Sequence, residues 1–282
     1  MSPYAEIEAK FAAWADAQPD IRAAFVLGSR ARTQQPADEW SDLDIGIITT
    51  DAERYIRDAG WVAGFGAVWL TFLERTPGGD FERRVLYQGA LDVDFVPIPT
   101  GNIEAVLAGQ VPSVALGIFR RGVRFIVDKD GLADRYAQIH IPPPEIKPPT
   151  EAEFLNLVAD FWYHLVWAAK KLKRGETWSA LAATGSHLWW GCWLPMVEWH
   201  ARACGGKTET WFNGRFIEQW ADEKALRALY DASARYDAAD VARALHEAGA
   251  AFRGIALETA AALGFSYPHD ADANISAWLN VG

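Results

Sequence analysis

Between Phe25 and Thr49 the chain reads Phe-Val-Leu-Gly28-Ser29-Arg30 and then, after a polar stretch, Ser41-Asp42-Leu43-Asp44-Ile45-Gly46-Ile47-Ile48-Thr49. An apolar run ends in Gly-Ser, and a second apolar run carries two aspartates at i and i+2. In a β-strand these positions share a face, so Asp42 and Asp44 would hold two carboxylates side by side while Leu43, Ile45 and Ile47 face a core. Like charges held that close repel unless they share a proton or a cation, and a hard, oxygen-seeking ion such as Mg2+ is the natural partner. Gly28 and Ser29 complement the pair. A glycine at a strand end lets backbone N–H groups approach an anion, and a serine hydroxyl can donate to a phosphate oxygen. Phosphate grip plus paired carboxylates predicts metal-assisted phosphoryl or nucleotidyl transfer.

A third acid strengthens this reading. Ala90-Leu91-Asp92-Val93-Asp94-Phe95-Val96-Pro97-Ile98 reads as another strand, with Leu91, Val93 and Phe95 on one face and Asp92 and Asp94 on the other. If this strand neighbours the first, an acid from it joins the pair.

The elements that must position these residues are a mixed α/β set. Ser2-Pro3 opens an amphipathic helix with Ile7, Phe11 and Trp14 on one stripe, stopped at Pro19. Strands are expected at Ala23–Leu27, Leu43–Thr49, Ala67–Leu73, Arg84–Tyr87, Leu91–Ile98 and Phe125–Val127. Thr50-x-x-Glu53 reads as a capping box starting a short helix that ends near Gly60, and another helix is expected over Asn102–Ala108. Five prolines between Ile141 and Pro149 predict a stiff linker, which gives a first domain over 1–140, a linker over 141–150 and a helical second domain over 151–282. There, Leu245, Phe252, Ile255 and Leu263 recur at helical spacing and Gly264 is the stop. Breaks are expected at Gly185, Gly191, Pro195 and Gly205-Gly206. The fold class is α+β: a mixed sheet with helices, followed by an α-helical bundle.

Composition narrows the partners. The chain has 282 residues, half of them apolar, enough for two ordinary domains. A net charge of -10 argues against a nonspecific nucleic-acid binder and favours cationic partners. The N-terminus lacks the basic start and apolar core of a signal peptide, and no apolar run is long enough for a bilayer; the expected location is the cytoplasm. Cys192 and Cys204 are too few for a cysteine zinc cluster and are expected to be reduced and structural. The six histidines show no metal-ligand spacing such as His-Glu-x-x-His.

Gly28-Ser29, Asp42-x-Asp44 and the distal Asp94 resemble the nucleotidyltransferase fold of the DNA polymerase β superfamily. Several further segments resemble the aminoglycoside 6-adenylyltransferases, also called streptomycin adenylyltransferases. They are Val93-Asp94-Phe95 with Ile98-Pro99, Val127-Asp128-Lys129-Asp130-Gly131, Phe161-Trp162, Ala169-Lys170-x-Leu172-x-Arg174-Gly175-Glu176, and Leu263-Gly264-Phe265-Ser266-Tyr267-Pro268. The resemblance implies transfer of AMP from ATP to a hydroxyl of a small cationic acceptor, such as streptomycin, with pyrophosphate leaving. It makes the first domain the nucleotidyltransferase and the helical one the acceptor-binding domain. Asp42 and Asp44 would hold Mg2+. Asp94 would ligate a second metal or take the acceptor's proton, with Asp92 as the runner-up. Gly28 and Ser29 would bind terminal phosphates with Arg30 assisting, Arg30 as a plain surface charge being the alternative. The family match extends a phosphate contact to Lys170, against a snorkelling lysine at a helix end. Trp162, Trp167, Trp189, Trp190, Trp193 and Trp199 are expected mostly in the core, one or two lining the acceptor cleft, and Glu176 and Glu198 are candidates for acceptor amines. Two other readings stay open: a non-aminoglycoside acceptor, small molecule or protein, and a noncatalytic nucleotide-binding module.

Overall fold

A computed structural model of the chain describes every residue other than 1, 77, 78, 80, 104, 106–112, 140, 143, 144, 208, 281 and 282. The chain divides into two compact units, Met1–Glu145 and Ile146–Gly282.

In the first unit, Ser2 Oγ accepts a hydrogen bond from the Ala5 N–H and Pro3 takes the first helical position, so α1 runs Pro3–Ala17 as its capping signals predict. There follow β1 (Ile21–Leu27), β2 (Leu43–Thr49), α2 (Ala52–Arg57), β3 (Val68–Arg75), β4 (Phe81–Tyr87), β5 (Leu91–Pro99), α3 (Ser113–Arg120), β6 (Arg124–Asp128) and α4 (Leu132–Ala137). All six predicted strands are present, β4 starting at Phe81 rather than Arg84. They form one sheet in the order β3-β4-β5-β2-β1-β6. β2 and β5 pair in parallel, and the other pairings are antiparallel. Tyr4, Ile7, Phe11 and Ala15 of α1 pack with Leu43, Ile45, Ile47, Val93 and Phe95 in the larger of the unit's cores, so the apolar face predicted for β2 is the buried one.

Two local expectations need correction or limitation here. The Thr50–Glu53 capping box does not form. The Thr50 N–H donates instead to Asp20 O, which keeps Thr50 in register with the strand, and α2 starts one residue later with Asp51 accepting from the Arg54 N–H. Of the helix expected over Asn102–Ala108, residues 104 and 106–108 lie outside the described residues; Thr100–Asn102 is a short 3-10 turn.

The second unit is helical. A true capping box between Thr150 and Glu153 starts α5 (Glu151–Lys173). Then come α6 (Thr177–Ala183), a π-helical segment (Thr184–Trp193), α7 (Leu194–Ala203), α8 (Ile217–Trp220), α9 (Glu223–Asp231), α10 (Ala238–Leu263) and α11 (His269–Asn280). The expected breaks at Gly185, Gly191 and Pro195 do not occur: α6, the π segment and α7 form one continuous run. Pro195 enters within the first turn of α7, where its missing N–H is tolerated, and the wider π turn ahead of it absorbs the change of register. The run ends before Gly205-Gly206 as predicted, and Gly264 closes α10 in the left-handed conformation at φ 72°.

Phe161 of α5 stacks on Phe252 of α10 at 3.7 Å between ring centroids, and a Cβ at Gly249 would stand 3.1 Å from Leu165, so glycine there lets the two helices meet closely. The tail motif has a packing role. Tyr267 Oη receives the Trp162 Nε1–H at 3.2 Å and donates to Asp272 Oδ2 at 2.9 Å, and Arg253 holds buried Asp272 with two hydrogen bonds of 2.6 Å. Four of the six tryptophans singled out lie in or against the core, as expected. Trp162 and Trp193 are buried and Trp189 and Trp199 partly so, whereas Trp167 and Trp190 are exposed, because the helices they ride on present one face to solvent. No described helix is long and apolar enough to cross a membrane.

Candidate active site

The parallel pairing of β2 with β5 places Leu43 opposite Val93 and Asp44 opposite Asp94. Asp42 immediately precedes β2. One carboxylate oxygen from each of Asp42, Asp44 and Asp94 lies within 4.8 Å of the others, so the structure brings together the three acids singled out by spacing. β1 ends at Leu27, the register partner of Asp44, and the chain turns there through Gly28–Arg30.

The turn is fitted to the acids. Gly28 has φ 69°, and a Cβ there would lie 2.2 Å from Asp44 Oδ2, so only glycine accommodates both the backbone and the carboxylate. Ser29 is buried, and its Oγ has no hydrogen-bond partner among the described residues. A buried hydroxyl left unpaired is costly, and here it sits in the turn that abuts Asp44. Three hard oxygen donors beside an unsatisfied hydroxyl suit a magnesium-bound phosphate chain.

Asp94 is the buried acid of the three. Burial raises its pKa to about 7, with Glu82, Asp42 and Asp92 adding repulsion and the Arg84 guanidinium opposing. Arg84 faces Asp94 across β4 and β5, with Nη2 3.4 Å from Asp94 Oδ2, and is held from the other side by Glu74 at 2.9 Å and Glu82 at 3.0 Å. Neither Glu82 nor Arg84 is among the site candidates that the sequence offers. The available signal was two charges at i and i+2 in an otherwise half-buried strand, with Arg84 falling opposite Asp94 once the register is known.

Asp92 is occupied elsewhere: Tyr4 Oη donates to its Oδ1 at 2.8 Å, and the Asp92 N–H approaches Tyr4 Oη at 3.3 Å. Arg30 stacks 3.9 Å above the Tyr4 ring and donates from Nε and Nη2 to the main-chain oxygens of Asp42 and Ser41, at 2.8 and 2.6 Å. The structure thus uses Arg30 to fix the loop that carries Asp42. Tyr4, the other residue missed from sequence, links α1, β5 and that loop.

Lys170 belongs to the second unit, on the last turn of α5, with Nζ 6.0 Å from the centroid of the Trp278 ring. With Trp162, Tyr163, Trp167, Pro268 and Ile275 it lines a cleft of about 430 Å³. Of the two glutamates proposed for acceptor amines, Glu176 pairs with Lys171 and Arg174, each at 2.7 Å, and Glu198 lies 3.5 Å from Arg202.

The chain matches the family described as streptomycin adenylyltransferase over residues 1–281. It is 23% identical over 273 residues to an aminoglycoside 6-adenylyltransferase of Bacillus subtilis, covering 92% of this chain and 90% of the relative. A second aminoglycoside 6-adenylyltransferase, from Campylobacter jejuni, is 23% identical over 261 residues, covering 88% and 85%. The crystal structure of an aminoglycoside 6-adenyltransferase from Bacillus subtilis aligns over 99% of this chain and 98% of its own, with 20% identity and a TM-score of 0.46. The match across nearly the whole length places this chain in the streptomycin adenylyltransferase family, and so among the nucleotidyltransferases.

Proposed function

We propose that the protein transfers AMP from ATP to a hydroxyl of an aminoglycoside such as streptomycin, with Mg2+ bound and pyrophosphate released. The observation that carries this is the convergence of Asp42, Asp44 and Asp94 against the Gly28–Ser29 turn. Asp42 and Asp44 hold the ion, and the buried, unpaired Ser29 hydroxyl together with the main-chain N–H groups of the turn grips the terminal phosphates. Bound there, Mg2+ would neutralise charge on the phosphates and on the departing pyrophosphate. Asp94 takes the proton of the attacking hydroxyl at Oδ1, its Oδ2 being turned towards Arg84. A carboxyl raised towards neutral pH is suited to that task. Arg30 keeps the loop that carries Asp42 in place. Lys170 is proposed as a further phosphate contact.

The acceptor assignment draws on the printed names of the relatives, on the net charge of -10 and on the aromatic cleft of the helical unit, where indole faces suit sugar rings and ammonium groups. The activity belongs in the cytoplasm, where ATP is supplied. The test is pyrophosphate release from ATP and Mg2+ across an aminoglycoside panel, with mass spectrometry of the product. An adduct of one AMP per acceptor is expected with streptomycin or a close relative. Release with none of the panel would remove the acceptor class while leaving nucleotidyl transfer, and a loss of Mg2+ affinity in Asp94→Asn would make that residue a ligand rather than a base.

A further inference from the structure

The helical unit holds a second convergence of ligating side chains. Asp160 and His164 are i and i+4 on α5 and therefore share a face. His187 reaches the same place from the π-helical segment. His164 Nδ1 is 2.6 Å from Asp160 Oδ1, His187 Nε2 is 2.9 Å from the same oxygen, and the two imidazole rings lie 3.9 Å apart between centroids. One ligand atom from each residue lies within 4.8 Å of the others. No histidine spacing in the sequence announces this group, because its members come from two helices.

We propose that Asp160, His164 and His187 bind a first-row transition-metal dication, Zn2+ foremost. The donor set decides the class of ion: two imidazole nitrogens and one carboxylate suit Zn2+ and its neighbours, whereas Mg2+ and Ca2+ take oxygen alone. The size also fits. Zinc bonds of about 2.0–2.1 Å in a tetrahedron set ligand atoms about 3.3 Å apart, so the two histidine–Asp160 spacings of 2.6 and 2.9 Å need to open by about 0.4 to 0.7 Å. Three protein ligands leave a fourth position. The three side chains are 32–40% exposed, which gives the ion an entry path from solvent.

The surroundings hold the ligands in place. The Cys192 thiol is buried beside Asp160, one π turn on from His187. A Cβ at Gly191 would stand 3.4 Å from His187 Nδ1, so glycine there leaves the ring room to turn Nε2 towards Asp160. The π geometry supplies the register that aims His187 and Cys192 at one residue, and such wide turns recur at functional sites. A bound ion would staple the π segment to α5.

Co2+ titration of the full chain, followed by visible absorption, with Zn2+ as competitor, tests this. One equivalent of Co2+ should bind with the intense bands of a low-coordinate nitrogen-containing site, Zn2+ should displace it, and the melting temperature should rise. His164→Ala and His187→Ala should each weaken binding at least tenfold, and Asp160→Asn, which preserves shape and hydrogen bonding, should do the same. The Asp42→Asn, Asp44→Asn double variant should keep the bands, which separates this site from the carboxylates of the sheet unit. Absence of saturable bands in the wild-type chain would overturn the proposal and leave a hydrogen-bonded cluster only. Bands of unchanged strength and affinity in Asp160→Asn and His187→Ala, each with native helical circular dichroism, would overturn it equally.

Discussion

The carboxylates of the sheet unit and the Asp-His cluster of the helical unit are built on different geometric rules. Asp42 and Asp44 are neighbours on one face by the two-residue period of a strand, and a single parallel pairing delivers Asp94 to Asp44. Asp160 and His164 are neighbours by the helical repeat, but His187 arrives through a π turn in a segment whose glycines signal a break. Strand pairing sets positions by register, so one short motif foretells most of a site. Helix approach depends on packing along the whole interface, which no local motif states.

The largest effect expected from breaking the sheet-unit arrangement is loss of transfer. Asp42→Asn or Asp44→Asn should lower the steady-state rate of pyrophosphate release roughly a thousandfold or more, equivalent to about 4 kcal/mol of transition-state stabilisation, while the far-UV circular dichroism is unchanged. Gly28→Ala comes next. Its methyl would meet Asp44 Oδ2 at 2.2 Å in a backbone conformation that disfavours side chains, so we expect a loss of about a hundredfold in kcat/KM with the helical unit's melting unaffected.

On the helical side, Arg253→Ala should cost about 2 kcal/mol of stability, read by denaturant titration, because it strands the buried Asp272 carboxylate. The ordinary salt-bridge figure is discounted because a third of the Arg253 side chain is exposed. The smallest effect sharpens the role of Asp94. Its folded pKa of about 7 stands above its ordinary value of 3.8, so the fold favours the protonated form. The stability this contributes is fully present below about pH 4 and is lost as pH rises through about 7. Asp94→Asn should therefore raise the melting temperature in EDTA at pH 8, by an effect on the order of 1 kcal/mol, and leave it nearly unchanged at pH 4. An equal shift at both pH values would remove burial of charge as the cause.

Much of the sheet unit was legible in advance. The strands, the capped first helix and the three converging acids follow from alternation, Ser-Pro capping and i, i+2 spacing. What was not legible depended on tertiary contacts. Thr50 and Thr150 both read Thr-x-x-Glu, yet only Thr150 forms the box, because Asp20 O claims the Thr50 N–H. Arg30 looked like a phosphate ligand or a surface charge, and its use in holding the 41–42 main chain against Tyr4 required knowing that α1 lies nearby. Gly185, Gly191 and Pro195 read as breakers, whereas tertiary packing carries the helix through them in a wider turn. Arg84 could not be assigned to Asp94 before the β4–β5 register was known.

Single-turnover transfer of label from α-labelled ATP to streptomycin, run with Mg2+ and with EDTA in the wild-type chain and in Asp44→Asn, tests most directly whether the three converging carboxylates carry metal-dependent nucleotidyl transfer. The account predicts a labelled AMP–streptomycin adduct from the wild-type chain with Mg2+ alone, and at least a thousandfold slower formation in EDTA or in Asp44→Asn. Adduct formed at near-wild-type rate by Asp44→Asn, or in EDTA, would contradict it.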